Sequence, residues 1–403
     1  MYAVLASGAQ LVPLNPLYTQ PELETILEDA DAAALIIDRR LAVPANAPKT
    51  LEVRIETAGG ELPLPEPESL ALLQYTGGTT GKPKGVNLTH RAIATNVAQR
   101  EALLPTALDR ERILCVMPLF HSYGMSMGLF LAANCRGTLV IQERYKPELL
   151  LAAIEREAIS VFPGSPTLYT SLLAHPQFAS TNLRSVHTCY SGAAPLAEET
   201  LKRWEAAVGA PIYEGYGQTE AGPILTFNPA HGARKPGSVG VPLARTEIRL
   251  VDGEIVARGP QLMQDYRNRP QETAEALRDG WLYTGDVGDL DADGYLYIRG
   301  RKKDMVIVGG YNVYPREVEE ALCAHPAVAE AAVVGGPDAY WGEVLHAYVA
   351  LRAPASGDAL LAHCRQRLAR YKIPATLEIV DALPRTSVNK PDKLALKRRW
   401  TQS

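Results

Sequence analysis

The alternation between residues 112 and 216 restricts the fold more than any other feature of this chain. From about Arg112 to Tyr216, short apolar runs of strand character alternate with segments of helical spacing. The runs are Ile113–Met117, Thr138–Gln142, Ser160–Phe162, Val186–Tyr190 and Pro211–Tyr213. Between the last two, the segment Glu198–Val208 places Leu201, Trp204 and Val208 on one helical face, and Gly209 supplies the stop. Strands and helices that alternate in this way build a parallel sheet covered by helices, so the class is α/β. Sites in such sheets lie beyond the C-terminal ends of the strands.

The pattern changes after Pro236. Short strand-like pieces follow, separated by turn signals at Asp252-Gly253, Asp279-Gly280 and Asp293-Gly294, which predicts a β-rich subdomain over about 236–300. Beyond the charged stretch Arg301–Asp304 comes a third composition. Pro315 opens a helix with Val318 and Leu322 four apart, and Pro326 closes it. Strands are expected at Val328–Val334, Leu345–Leu351 and Leu377–Val380, with a helix at Asp358–Arg370. The chain thus divides into a large N-terminal domain, 1–301, and a small α+β domain, 302–403, joined by a short hinge, which agrees with a length of 403 residues. The start, Met1 to Pro13, reads as the middle of a fold, with a helix end at Ser7-Gly8 and a strand at Gln10–Leu14, rather than as a signal peptide.

A net charge of −4 gives no sign of the strongly basic face expected of a nucleic-acid binder. The cysteines, Cys115, Cys135, Cys189, Cys323 and Cys364, are odd in number and show no CxxC spacing. That points to reduced thiols in a cytoplasmic setting rather than to disulfides or zinc.

The strongest local motif is Tyr75-Thr76-Gly77-Gly78-Thr79-Thr80-Gly81-Lys82-Pro83-Lys84-Gly85. Backbone N–H groups and hydroxyls in such a loop can surround phosphate oxygens, and Lys82 and Lys84 add positive charge. A Walker A loop needs Gly-x4-Gly-Lys-Ser/Thr. Thr76 stands at its first glycine and Pro83 at its magnesium-binding hydroxyl, so that reading fails.

Thr76–Gly85 resembles the phosphate loop of the adenylate-forming superfamily of acyl-CoA synthetases, nonribosomal adenylation domains and beetle luciferases. Further motifs follow in the family's order. Tyr213-Glu214-Gly215-Tyr216-Gly217-Gln218-Thr219-Glu220 resembles its adenine and magnesium segment, and Tyr283-Thr284-Gly285-Asp286 its ribose-binding turn. Gly300-Arg301-Lys302-Lys303-Asp304 resembles the hinge, and Pro384-Arg385-Thr386-Ser387-Val388-Asn389-Lys390 the C-terminal lysine loop. The similarity covers essentially the whole chain and is nearer to fatty acyl-CoA ligases than to amino-acid-activating domains.

The resemblance implies ATP, Mg²⁺ and coenzyme A as cofactors, and a reaction that joins a carboxylate to the α-phosphate of ATP, expels pyrophosphate and then forms a thioester. Charge must be neutralised at the point of attack and on the leaving group. Lys390 would reach the carboxylate and α-phosphate, for which a compact ammonium suits better than a planar guanidinium. Glu220 would hold Mg²⁺ through oxygen, with Thr219 on a phosphate. Thr76, Gly77, Gly78, Thr79, Thr80 and Lys84 would cradle the phosphates. Gly192, Ala193, Ala194, Glu214, Gly215, Tyr216 and Gly217 would surround adenine, with Tyr216 as the flat face. Asp286 would accept from the ribose hydroxyls, supported by Arg301, and Ile298 is carried over with the same nucleotide contacts. His121, in Pro118-Leu119-Phe120-His121-Ser122-Tyr123-Gly124, aligns beside the acyl pocket; no Gly-x-Ser-x-Gly elbow accompanies it to suggest a hydrolase. Lys303 matches the hinge position, and Gly309, Gly310 and Tyr311 the loop that lines the pantetheine path once the small domain has rotated. Outside the family context, Lys390 and Glu220 would be ordinary surface charges, Asp286 a turn residue and Tyr216 a core tyrosine.

The segments expected around the acyl group, Phe120–Gly128, Pro163–Leu168, Tyr190–Ala194 and Tyr213–Ile224, contain no Lys or Arg. A dicarboxylate would lack a counter-ion there, whereas Met125, Met127, Phe130, Leu168 and Ile224 suit an apolar tail. The expected substrates are therefore a small-molecule carboxylic acid and CoA. An aryl acid of the coumarate type, or acyl transfer to a carrier protein, remains an alternative, and peripheral membrane contact and oligomeric state are left open. Asp289-Leu290-Asp291-Ala292-Asp293-Gly294 superficially matches a calcium loop but lacks the later bidentate Glu, so a hairpin turn is expected. Against the family pattern the chain is short before Met1 and over Arg39–Ser69, Asn389 precedes the lysine where Gly is usual, and Ala193 replaces a Gly. A shortened, weakly active nucleotide-binding homologue is the alternative from another class.

Overall fold

The computed structural model describes residues 1–38, 44, 46–51, 64–76, 83–386 and 390–401. The predicted alternation becomes a seven-stranded sheet. Its strands, in spatial order, are Val241–Pro242, Ile224–Phe227, Ile212–Gly217, Thr188–Ser191, Val161–Gly164, Arg112–Cys115 and Thr138–Ile141. The last five run parallel, as the alternation requires, and Ile224–Phe227 turns antiparallel to Ile212–Gly217. Helix Glu198–Val208 lies where the spacing places it, ended by Gly209 at φ 76°. Its Trp204 is fully buried against Phe162, Tyr169 and Phe178, with centroid separations of 5.8, 4.8 and 5.8 Å. Such tilted aromatic pairs add about 0.5–1.5 kcal/mol each beyond area burial and fix this flank of the sheet.

A three-stranded antiparallel sheet, Asp265–Tyr266, Lys84–Thr89 and Leu70–Thr76, stands beside it. The expected strand at Gln10–Leu14 reduces to a single bridge from Leu11 to Leu72. Prolines at 13 and 16 remove donors that a longer ladder would need. The helix end at Ser7-Gly8 does occur, after Tyr2–Ala6.

The β-rich stretch forms a five-stranded antiparallel sheet of Glu247–Val251, Glu254–Arg258, Trp281–Leu290, Leu277–Arg278 and Leu296–Arg301. Its turns are the anticipated ones. Asp252-Gly253 and Asp279-Gly280 both take positive φ at both residues, the geometry that matches strand twist in a two-residue hairpin. The calcium-like segment is likewise a hairpin turn. Lys235 Nζ lies 2.6 Å from both Asp291 Oδ2 and Asp293 Oδ2, so an ammonium supplies the cation there.

The small domain is a sheet of Tyr311–Val313, Val306–Val308, Gly342–Leu351 and Val328–Asp338, with Thr376–Val380 parallel to Gly342–Leu351. Helices Pro315–Cys323 and Gly357–Arg365 bury Val318, Leu322, Leu360 and Cys364 against one face. Helix Lys393–Thr401 covers the other through Leu396. The helix expected to reach Arg370 ends at Arg365, and a separate turn, Arg370–Lys372, follows.

Candidate active site

Four structural units converge on one cleft. The strands Leu70–Thr76 and Lys84–Thr89 pair from Leu70 opposite Thr89 to Thr76 opposite Lys84, so the described ends of the phosphate-loop motif, Thr76 and Lys84, lie side by side. Gly77, Gly78, Thr79 and Thr80 lie outside the described residues. Lys84 Nζ sits 5.2 Å from the centroid of the Tyr266 ring, and the Tyr266 hydroxyl donates to Glu220 Oε1 at 2.8 Å. Tyr266 therefore joins the loop lysine to the candidate metal carboxylate. Thr219, buried beside it, donates to Ser122 Oγ at 3.3 Å.

The parallel strands contribute their C-terminal ends, as this topology dictates. Ser191 ends the strand Thr188–Ser191; it is fully buried, and its Oγ has no partner among the described residues. Ala193 follows at φ 69°. This left-handed conformation strains an L side chain and explains why a glycine is common at the position. Glu214 is buried and accepts from the Leu196 N–H at 3.0 Å, which ties the Ser191–Leu196 segment to strand Ile212–Gly217. Burial pushes its carboxyl up to about 7, while that N–H and the Arg316 charge from the small domain oppose the rise. At Gly217 an added Cβ would lie 1.9 Å from the Pro223 carbonyl oxygen, so only glycine fits.

The β-rich sheet brings Asp286 and Arg301 directly opposite each other on adjacent strands. Arg301 Nε lies 3.2 Å from Asp286 Oδ1, and the Tyr216 hydroxyl donates to Asp286 Oδ2 at 2.7 Å. Ile298, on the same strand as Arg301, packs with Val239, Ile255 and Leu296. An open cavity of about 410 Å³ is lined by Thr284, Gly285, Arg301, Lys302 and Lys303.

Lys390 enters from the small domain. Its loop is braced by a two-way link with Thr386: the Lys390 N–H donates to Thr386 Oγ1 at 3.1 Å, and the Thr386 N–H to the Lys390 carbonyl at 2.8 Å. Arg385 anchors the loop base to Glu330, with Nη1 2.8 Å from Oε1. The half-buried Lys390 ammonium is held below its ordinary pKa by burial and by Arg301, with Asp286 pulling the other way. The same ammonium acts on His121, whose imidazole is pushed down to about 4, mainly by burial. His121 Nδ1 accepts from the Tyr123 N–H at 3.2 Å, so the neutral ring keeps its proton on Nε2.

Arg301, Lys303 and Lys390 thus gather near one carboxylate, Asp286. This excess of cation over anion fits a polyphosphate ligand. Gly309, Gly310 and Tyr311 stand apart on the hairpin of Val306–Val308 and Tyr311–Val313. Gly309 is needed there because a Cβ would meet the Trp341 ring at 2.6 Å, and Tyr311 stacks on Tyr371 with a 4.4 Å centroid separation. Most of the apolar residues expected around an acyl tail are core instead: Met125, Met127, Leu168 and Ile224 are at most 5% exposed in packed clusters. Tyr266 and Ser122 belong to the site and were not singled out from the sequence. Tyr266 lies 46 residues from Glu220 with no local motif to mark it, whereas Ser122 stands next to His121 in its motif but 97 residues from Thr219.

Residues 1–267 match the AMP-binding enzyme family, and residues 317–390 match the AMP-binding enzyme C-terminal domain. A long-chain-fatty-acid–CoA ligase of Bacillus subtilis is 37% identical over 96% of this chain and 81% of its own length. A feruloyl-CoA synthase of Amycolatopsis is 39% identical over 99% of this chain and 86% of its own. Among solved structures, ATP-bound MatB from Rhodopseudomonas palustris superposes with a TM-score of 0.90 at 31% identity, covering 99% of this chain and 85% of that one. The Bacillus subtilis o-succinylbenzoate CoA synthetase with its acyl-adenylate intermediate gives 0.87 at 33% identity, covering 100% and 85%. With two family matches in order and relatives of this identity along nearly its whole length, the chain belongs to the AMP-binding, adenylate-forming enzyme family and is an AMP-forming acid–CoA ligase.

Proposed function

We propose that the chain activates an apolar monocarboxylic acid, a fatty acid first of all, and passes the acyl group to CoA. The observation that carries this is the cluster of Lys390, Arg301 and Asp286 at the mouth of the parallel sheet. In the first half-reaction the substrate carboxylate oxygen attacks the α-phosphorus of ATP. The bond to the bridging oxygen of the β-phosphate breaks, and pyrophosphate leaves. Lys390 bridges the two reacting anions, Lys84 neutralises the departing phosphates, and Asp286, held by Arg301 and Tyr216, accepts from the ribose. Glu220 is the residue that would hold Mg²⁺, whose chemistry is to neutralise the phosphate oxygens. Tyr266 orients that carboxylate.

In the second half-reaction the CoA sulfur attacks the acyl carbon, its proton is released, and AMP leaves. Domains bounded at 1–301 and 302–403, with Lys303 as pivot, would let Lys390 withdraw and the Gly309–Tyr311 loop approach. The uncharged segments flanking the acyl position support an apolar tail, as do relatives named for long-chain fatty and feruloyl substrates. The identity to the feruloyl-CoA synthase favours an aryl acid as the second reading. The free cysteines support a cytoplasmic setting.

Acid-dependent exchange of labelled pyrophosphate into ATP, run across fatty, aromatic and dicarboxylic acids, tests the reading. Exchange should be fastest with a fatty or aryl monocarboxylate and should yield acyl-CoA when CoA is added. Adenylate without acyl-CoA would point to a carrier-protein acceptor, and no acid-dependent exchange would remove the ligase reading.

A further inference from the structure

Glu254 opens the strand Glu254–Arg258 directly after the Asp252-Gly253 turn. Its side chain is only 10% exposed, yet no sequence motif includes it. One carboxylate oxygen, Oε1, accepts from the Gly285 N–H at 3.0 Å, in the turn that carries Asp286. The other, Oε2, accepts from Lys302 Nζ at 2.9 Å. Lys302 belongs to the short Lys302–Asp304 turn between the last strand of the β-rich sheet and the small domain. The same Lys302 and Gly285 line the cavity beside Arg301 and Lys303.

We propose that Glu254 is a positioning residue that couples the ribose turn to the interdomain segment, and that its ion pair with Lys302 holds this segment in the arrangement that adenylate formation uses. The proposal rests on the ligase reading. The asymmetry of the pair gives it the strength of a latch. Lys302 is 60% exposed and returns easily to water, whereas Glu254 is only 10% exposed and is costly to leave without its charge partner. Release is therefore affordable but not free, and it leaves Glu254 pulling harder on the Gly285 N–H. The ribose turn would tighten as the linker lets go, which keeps the adenylate bound while the small domain moves.

The test uses the full chain in wild-type, Lys302→Met, Lys302→Arg and Glu254→Gln forms. Pyrophosphate exchange reads the first half-reaction, and single-turnover transfer from preformed acyl-adenylate to CoA reads the second. Lys302→Met should slow exchange by about 3–10-fold, the scale of one partly exposed charge-assisted bond. Transfer should be unchanged or faster, and Lys302→Arg should restore exchange. Glu254→Gln should slow exchange at least as much and should speed hydrogen exchange of the Gly285 amide. Because the two side chains act through one bond, Glu254→Gln with Lys302→Met should be no slower than Glu254→Gln alone. Equal loss in both half-reactions, loss in neither, or additive effects would overturn the coupling while leaving the ligase reading intact. Wild-type chain that exchanges no pyrophosphate with any acid would instead remove the ligase reading, and this inference with it.

Discussion

The large domain and the small domain bring different charges to the cleft. The large domain supplies the anions and their hydrogen-bond partners: Asp286 with Tyr216, Glu220 with Tyr266, and Glu254 with Gly285. Apart from Lys84 and Arg301, which its strands also hold, the cationic half comes from the interdomain segment and the small domain as Lys302, Lys303 and Lys390. The anionic half is fixed by sheet register, because Asp286 and Arg301 are cross-strand partners and cannot separate without breaking the ladder. Lys302, Lys303 and Lys390 stand outside that ladder, the first two on a short turn and the third linked to Thr386. A fixed set of charges beside a separable one suits two successive reactions, the first at the α-phosphorus and the second at the acyl carbon.

Removing the charge that the small domain supplies should break this division most severely. Lys390→Ala should cut acid-dependent pyrophosphate exchange by about 10²–10³-fold, the range for loss of one donor to a developing anion. It should leave transfer from preformed acyl-adenylate to CoA nearly unchanged. Loss on the fixed side should look different. Asp286→Asn keeps the shape but removes the charge that holds Arg301 and accepts from Tyr216, and should raise the KM for ATP roughly tenfold, as for a charge-assisted hydrogen bond. Equal falls in both half-reactions for Lys390→Ala, or an unchanged ATP KM for Asp286→Asn, would dissolve the distinction between the two domains.

The unequal legibility of the two halves in the sequence has the same physical origin. The parallel sheet was readable because its central strands are buried on both faces and alternate with helices whose apolar stripes repeat at a fixed period. Helix Glu198–Val208 and its Gly209 stop came out at the expected residues. The hairpins at Asp252-Gly253 and Asp279-Gly280 were readable because positive φ restricts the residue types. Motif residues such as Asp286, Glu220 and Lys390 are singled out through family resemblance alone, since nothing local sets a surface carboxylate apart from one that faces a ligand. Their partners stayed hidden. Tyr266 and Glu254 act across strands far apart in sequence, and only the folded register brings them to Glu220 and Gly285. The acyl-tail residues misled for the converse reason. Met127 and Leu168 are as apolar as a pocket lining must be, and a core uses the same residues.

Ala193 offers a smaller test of the fixed side. At φ 69° its methyl group strains the segment between Ser191 and Leu196. Ala193→Gly removes a penalty of about 1–2 kcal/mol but loosens the unfolded chain by about 0.4–1 kcal/mol. The net expectation is a gain of about 0–1.6 kcal/mol by that subtraction. It is checked by the shift in thermal unfolding of the large domain, and a loss of stability would show that the segment is held by more than its backbone.

The smallest effect reports most directly on whether the two domains meet as described. His121 lies in the large domain, and its pKa of about 4 owes most to burial and a lesser part to the Lys390 charge. Because the folded value lies below the ordinary 6.5, the unfolded chain binds this proton more readily between about pH 4 and 6.5. The contribution to stability is therefore complete above about pH 6.5 and is lost as the pH falls towards 4. Titration of the His121 ring resonance should show no protonation near neutrality. In Lys390→Ala the midpoint should rise, but by less than the full distance to the ordinary value, since burial remains. An unmoved midpoint would place Lys390 away from His121 in solution, with the cationic half already withdrawn from the site before substrate arrives.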